Sequence, residues 1–223
     1  TFSYNNATDA LTFAKTKDLA LIICDIMMPG MNGLEFCKLI KSDLKTSHVP
    51  VILLTAKSAD ESKIEGYNKG ADEYITKPFN TKILISRVHN LIEQRESLKK
   101  KIKTLNLEPS KISPTSLDEN FLAKAIKNIE KNISNHEYSI TDLSTSMGLS
   151  HDNFYRKIKN LSGMSATQFI RMIKLKRAAQ MLDNTDYSIS EILYEVGFTN
   201  PSYFTKCFKQ QFGISPTNYK NSP

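Results

Sequence analysis

A carboxylate, a hydroxyl and an ammonium stand at the ends of three short apolar runs. Asp25 closes Leu19–Cys24, Thr55 closes Pro50–Leu54, and Lys77 follows Glu73–Ile75. An ammonium beside a carboxylate holds it ionised, or pairs with a phosphoryl group once the carboxylate carries one. A hydroxyl donates to a phosphoryl oxygen, and the small Ala56 leaves room for one to enter. Together these groups suit a nucleophilic carboxylate that forms an acyl phosphate. Taken singly, each has a plainer explanation: Lys77-Pro78 as a surface turn, Thr55 as a satisfied strand cap. The recurrence at three run ends is what argues for chemistry.

For the three groups to meet, the runs must be parallel strands of one sheet. Short runs apolar on both faces suit buried parallel strands, and open parallel sheets place their chemistry beyond the carboxyl ends. The intervening sequence supplies the crossovers. Thr1–Tyr4 is strand-like, and Ala7 to Lys17 has helical spacing. Leu34, Phe36, Cys37, Leu39 and Ile40 mark a helix after Gly33. A helix from about Ala59 to Lys69 stops at Gly70, and Asn80 caps a long one through Ile83, Leu84, Val88, Leu91 and Ile92. Strand and helix alternating at this pitch predict an α/β domain.

The totals set the frame. A chain of 223 residues has room for one large or two ordinary domains. Its 40% hydrophobic and 24% charged residues suit a globular, soluble protein, and a formal charge of +7 permits an acidic partner such as nucleic acid. Cys24, Cys37 and Cys207 lie far apart with no CxxC pair, which suits buried thiols in a reducing cytosol. His48, His89, His136 and His151 are scattered, without metal-ligand spacing. No run reaches the ~18 apolar residues of a membrane span, so the expected location is cytoplasmic.

After Glu93 the composition changes. Residues 96–115 combine a charged helical extension, with Leu98, Ile102 and Leu105 at helical spacing, and a linker containing Pro109 and Pro114. That extension is a solvated helix or a helical dimer contact. From Ser116 onward the period is helical throughout. Ser116 with Glu119 forms a capping box, and Phe121, Leu122, Ala125, Ile126 and Ile129 form an apolar face. Ile140–Met147, a Gly148 turn and a helix carrying Phe154, Ile158 and Leu161 make a helix-turn-helix. The pattern returns 49 residues later, from Ile189 through Gly197 to a helix carrying Tyr203, Phe204 and Phe208. One long helix, Ala166 to Asp183, joins the two. Such a pair could reach successive major-groove segments about one helical turn (~34 Å) apart. Arg156, Lys157, Lys159, Arg171, Lys174, Lys176 and Arg177 stand against the single acid Asp152 over 150–182, which favours DNA.

Asp25 with IMMPGMNG, Thr55-Ala56 and Tyr74-x-x-Lys77-Pro78 resemble a two-component response-regulator receiver domain over residues 1–95. The resemblance implies a flavodoxin-like fold, Asp25 as phosphoacceptor and a histidine kinase as phosphodonor. It implies Thr55 and Tyr74 as a switch pair, Lys77 as the phosphoryl ligand, and a Mg²⁺ ion. Physically, the phosphate draws in the Thr55 hydroxyl and leaves space for Tyr74 to turn inward. The similarity starts at what matches the second strand of such domains, without the acidic pair that helps bind the metal. Asp25 and the Met27 carbonyl are the ligands that remain. Mg²⁺ is therefore expected of an intact receiver and not of this chain, which we expect to be a fragment of a longer protein.

Residues 116–223 resemble the AraC-type DNA-binding domain, most specifically through GFTNPSYFTKCFKQQFGISP. By position, the resemblance turns His151, Asp152, Tyr155 and Arg156 of the first recognition helix toward DNA. The second contributes Asn200, Pro201, Ser202, Tyr203 and Lys206. The composite reading is a phosphorylation-controlled transcription regulator binding double-stranded DNA, with a homodimer as one output. The expected setting is the end of a membrane-anchored hybrid histidine kinase; a free-standing regulator is the alternative. No enzyme activity is expected of this chain beyond receiver self-phosphorylation. A receiver that only mediates contacts is a second alternative. A phosphatase with an Asp nucleophile would want a second Asp at position 27, where Met stands.

Overall fold

The computed structural model describes residues 1–56, 70–104 and 117–221. They fall into two compact units. In the first, β1 (Ile22–Asp25), β2 (Val51–Thr55) and β3 (Glu73–Thr76) form a parallel sheet in that order. Helices α1 (Ala7–Ala14), α2 (Gly33–Ser42) and α3 (Thr81–Thr104) accompany it. Parallel neighbours need a crossover, and α2 supplies the one between β1 and β2. Val51, Ile52 and Leu53 of the central strand are wholly buried, as the unbroken apolar run requires. Cys24, Phe36, Cys37, Ile40 and Tyr74 pack with Val51 and Leu53 in one core, and Ala7 and Ala14 bring α1 to it.

Ion pairs pin the far end of the sheet. Lys41 donates to Asp72 Oδ2 at 2.5 Å and to the Val49 carbonyl at 2.9 Å, while Asp72 Oδ2 accepts the Val51 N–H at 2.8 Å. Arg87 and Arg95 of α3 reach Glu73 and Asp72 at 3.5 and 3.8 Å. As the Asn80 cap predicts, its side chain accepts the Lys82 N–H where α3 starts.

Thr1–Tyr4 corrects one expectation, because it forms no strand. A strand needs a ladder partner, and β1 pairs with β2 alone among the described residues. Phe2 and Tyr4 instead lie against the ring of Phe13, with centroids 4.7 and 5.1 Å away. The expected helix over 59–69, the linker over 105–115 and the Ser116 capping residue lie outside the described residues.

The second unit is helical: α4 (Leu117–Lys131), α5 (Ile140–Ser146), α6 (His151–Ser162), α7 (Ala166–Asn184), α8 (Ile189–Glu195), α9 (Pro201–Phe212) and α10 (Pro216–Lys220). The 49-residue repeat is visible down to the caps. Helices α5 and α8 each open on a capping box, Ser139 with Asp142 and Ser188 with Glu191. Gly148 and Gly197 both turn the chain at φ 70°, and α6 and α9 both run 12 residues. Their inner faces are the predicted ones: Phe154, Ile158, Phe204 and Phe208 are buried. The 19-residue α7 buries Phe169, Ile173, Leu175, Ala178 and Leu182 and is roughly 28 Å long at 1.5 Å per residue. No described helix is long and apolar enough to cross a membrane.

The two turn glycines differ in their surroundings. A Cβ on Gly148 would meet nothing, whereas one on Gly197 would lie 2.3 Å from the Ile133 carbonyl oxygen and 2.7 Å from Lys174 Nζ. Both substitutions strain a left-handed residue, and only the second also collides with backbone. Gly148→Ala should therefore cost about 1 kcal/mol and Gly197→Ala at least ~2 kcal/mol. Urea unfolding of each variant checks this; equal losses would contradict it.

Candidate functional site

The site on the first unit is built by the turn after β1. Gly33 N–H donates to the Ile26 carbonyl at 3.0 Å, folding the intervening loop back so that α2 starts against Asp25. A Cβ at Gly33 would fall 2.2 Å from the Asp25 carbonyl oxygen, so only glycine fits. Asn32 caps α2 by accepting the Glu35 N–H at 2.8 Å, and Gly30 turns the loop at φ 79°. The run Pro29-Gly30-Met31-Asn32-Gly33 thus has a geometric reason at three of its five residues.

Register brings the three strand ends to one edge. Asp25 pairs with Leu54, Leu54 with Ile75, and Thr55 with Thr76. Beyond the strands, Ile26 N–H donates to the Leu54 carbonyl at 2.9 Å and Lys77 N–H to the Thr55 carbonyl at 2.7 Å. Lys77, whose bond to Pro78 is cis, sends its ammonium to Asp25 Oδ2 in a short ion pair. Asp25 Oδ1 accepts the Met27 N–H at 3.1 Å. The Lys77 hydrogen bond outweighs burial and, with the Met27 amide, holds the Asp25 carboxyl below the ordinary aspartate value. Asp25 is therefore ionised at neutral pH and partly open to solvent.

The other residues singled out by sequence are placed as follows. Thr55 is buried at the end of β2, and Ala56 is exposed just beyond it. Tyr74 is buried in the core beside Leu53, so its ring already points inward. The Met27 side chain is 77% exposed. Cys24 lies next to Asp25, but burial first, then the negative charge around it, pushes its thiol up to about 12. It is no competing nucleophile.

A divalent ion would need more than this edge offers. Mg²⁺ demands near-octahedral oxygen ligands. Here one carboxylate is engaged by an ammonium and an amide, and the described residues contain no group of three His, Cys, Asp or Glu able to hold a metal. Asp25 and the Met27 carbonyl do not fit Mg²⁺ as a set.

On the second unit, His151, Asp152, Asn200, Pro201, Ser202, Tyr203 and Lys206 are exposed, and Tyr155 and Arg156 half-buried; they lie on the first two turns of α6 and α9, with Asn200 as the α9 N-cap. His151 Nδ1 lies 3.4 Å from Asp152 Oδ1. The basic surface is smaller than the sequence suggests. Lys157 is buried, its ammonium 6.0 Å from the centre of the Phe121 ring. Lys174 donates to the Gly197 carbonyl at 3.2 Å, and burial lowers its pKa. Among the described residues the buried Lys176 ammonium has no hydrogen-bond partner, and desolvation brings its pKa down to about 8. These three lysines serve packing; of the other basic residues Lys159 and Arg177 are exposed, and Arg156 and Arg171 half-buried.

Comparison with known proteins agrees with both halves. Residues 1–89 match the response regulator receiver domain, and residues 143–222 match a helix-turn-helix domain family. "Histidine kinase P4" of Formosa agariphila is 43% identical over 217 residues, which is 97% of this chain and 16% of that protein. "Heme response regulator HssR" of Staphylococcus saprophyticus is 30% identical over 192 residues, 85% of this chain and 81% of that protein. Among solved structures, the C-terminal domain of AraT, a response regulator from Geobacillus stearothermophilus, is 26% identical over 51% of this chain and 88% of its own, with a TM-score of 0.43.

The Asp25 pKa supplies a test. Because Lys77 lowers it in the fold, the stabilisation from this pair is present above the unfolded aspartate pKa and lost as pH falls through the folded value. Lys77→Ala should raise the Asp25 pKa toward the ordinary range and remove that pH dependence. Carboxyl NMR titration of both proteins checks this; an unchanged Asp25 curve would contradict it.

Proposed function

This chain belongs to the two-component response regulators, a receiver domain followed by an AraC-type helix-turn-helix domain, and from that premise we propose that phosphorylation of Asp25 controls its grip on DNA. The observation that carries the reading is the ionised Asp25 paired with Lys77 at a parallel strand edge. A carboxylate oxygen attacks the phosphorus of a kinase phosphohistidine, the P–N bond breaks, and the imidazole departs with its electron pair. Lys77 then exchanges a carboxylate partner for a phosphoryl oxygen, which keeps its charge compensated. Receiver domains generally use Mg²⁺ for this transfer; the intact receiver would draw the rest of its oxygen ligands from outside the described residues.

The added negative charge gives Thr55 and Ala56, on the neighbouring strand, a phosphoryl group to meet. Thr55 and Tyr74 form the switch pair; both are buried, Thr55 at the end of β2 and Tyr74 on the neighbouring β3. The output is a change in dimerisation or in DNA affinity. His151, Asp152, Tyr155 and Arg156 of α6, with Asn200, Pro201, Ser202, Tyr203 and Lys206 of α9, form the two DNA-reading faces. Their support is exposure on helices whose opposite faces are buried. We take the domain limits as 1–95 and 116–223, joined by 96–115.

The chain spans 16% of the length of its histidine kinase relative. That likeness favours the output end of a hybrid kinase, membrane-anchored elsewhere, with this portion in the cytoplasm and the kinase module as phosphodonor. The likeness to a heme response regulator over 81% of its length supports a free-standing regulator as the second reading.

In the intact protein, Asp25→Asn should abolish hydroxylamine-sensitive labelling by acetyl phosphate or the cognate kinase; retained labelling would contradict the acceptor. Arg156→Ala and Lys206→Ala should each weaken DNA binding by roughly 1–3 kcal/mol in an anisotropy titration. No loss in either variant would count against the two helices as DNA-reading elements.

A further inference from the structure

An open groove of about 410 Å³ lies beside the second helix-turn-helix, walled by three separate stretches of the second unit. His136 and Ser139 come from the connection between α4 and α5, Arg171 and Lys174 from α7, and Asn200 and Tyr203 from the start of α9. Its charged lining is basic, with no Asp or Glu among the lining residues. Two cations turned toward one hollow without a carboxylate repel each other and favour an incoming anion.

The two are not equivalent. Lys174 is spent on the Gly197 carbonyl and holds the turn before α9. Arg171 is poised: its Nη1 donates to the Tyr203 hydroxyl at 2.8 Å, which ties the guanidinium of α7 to the first turn of α9. One of its five donors is used there, and the fork geometry of the rest suits a phosphate.

We propose that this groove clamps a backbone phosphodiester of duplex DNA, with Arg171 as the phosphate ligand and the hydroxyl of Tyr203, a residue also on the DNA-reading face of α9, holding its guanidinium in place. The inference rests on the DNA-binding reading above. The position of the groove favours a phosphodiester over a small organic anion. It opens beside Asn200 and Tyr203, on the exposed end of α9, so a helix entering the major groove there brings a flanking strand of phosphates past Arg171. The contact carries no sequence information and fixes the docking of the second repeat.

The test is a salt series of anisotropy titrations of the whole chain against a mixed-sequence duplex, comparing wild type, Arg171→Gln, Arg171→Lys and Tyr203→Phe, with circular dichroism confirming the fold. Arg171→Gln should weaken binding several-fold and reduce the slope of log affinity against log salt by about 0.9, one phosphate contact. Arg171→Lys should retain the slope, and Tyr203→Phe should weaken binding with the slope kept. A folded Arg171→Gln with the wild-type slope overturns the clamp. Citrate binding to the groove alongside that unchanged slope would assign it to a small anion instead. Wild type that binds no duplex at any salt would overturn the DNA reading itself, a result distinct from either.

Discussion

The pairing of Lys77 with Asp25 is the constraint on which the first unit turns. It exists because two parallel strands separated by a third end at the same edge, so the fold is what brings position 77 to position 25. It also does two opposed things. It keeps the carboxylate ionised and therefore nucleophilic, and it occupies the oxygen that a phosphoryl group would claim. A cation that can transfer its allegiance from carboxylate to phosphate is neutral toward the gain of the group and responsive to where the new oxygens lie. The turn after β1 adds a second constraint. Gly33 packs against the carbonyl of Asp25 itself, so the start of α2 and the residue carrying the carboxylate are one piece of backbone.

The second unit solves a different problem, presenting two similar short helices from one scaffold. Helices α6 and α9 both open on a side-chain cap to the third helical N–H, Ser150 to Asn153 and Asn200 to Tyr203, both end in left-handed glycines, and both bury one apolar face, Phe154, Ile158 and Leu161 in α6 and Phe204, Cys207 and Phe208 in α9. What distinguishes the repeats is the packing of their turns. Gly148 has open space around it, and Gly197 is wedged between the Ile133 carbonyl and Lys174. The second repeat is therefore held from two sides, by α7 and by the segment after α4, and its turn tolerates less.

Much of this was legible from residue order. The strand-end triad, the Asn80 cap and the repeat were all readable, because periodicity and turn chemistry are local properties. The buried faces of α4, α6 and α9 were readable for the same reason. What escaped was decided by tertiary packing. Thr1–Tyr4 has a strand's composition and no ladder partner among the described residues. Lys157, Lys174 and Lys176 look like DNA contacts in a basic stretch, yet a long aliphatic stem lets the ammonium of Lys157 on α6 reach a ring, that of Lys174 on α7 a carbonyl, and that of Lys176 a buried position. Sequence spacing could not tell Arg171, tied to Tyr203 across 32 residues, from its inward-turned neighbours.

A phosphoryl group on Asp25, on the proposed reading, is felt at α6 and α9. The most direct measurement is the DNA affinity of the intact protein before and after phosphorylation, in wild type and in a variant that cannot accept the group. The account predicts a change of roughly 5–150-fold, the range of ordinary allosteric coupling, present in wild type and absent when Asp25 is Asn. Equal affinities in both states of the wild type, with phosphorylation verified by mass spectrometry, would contradict it.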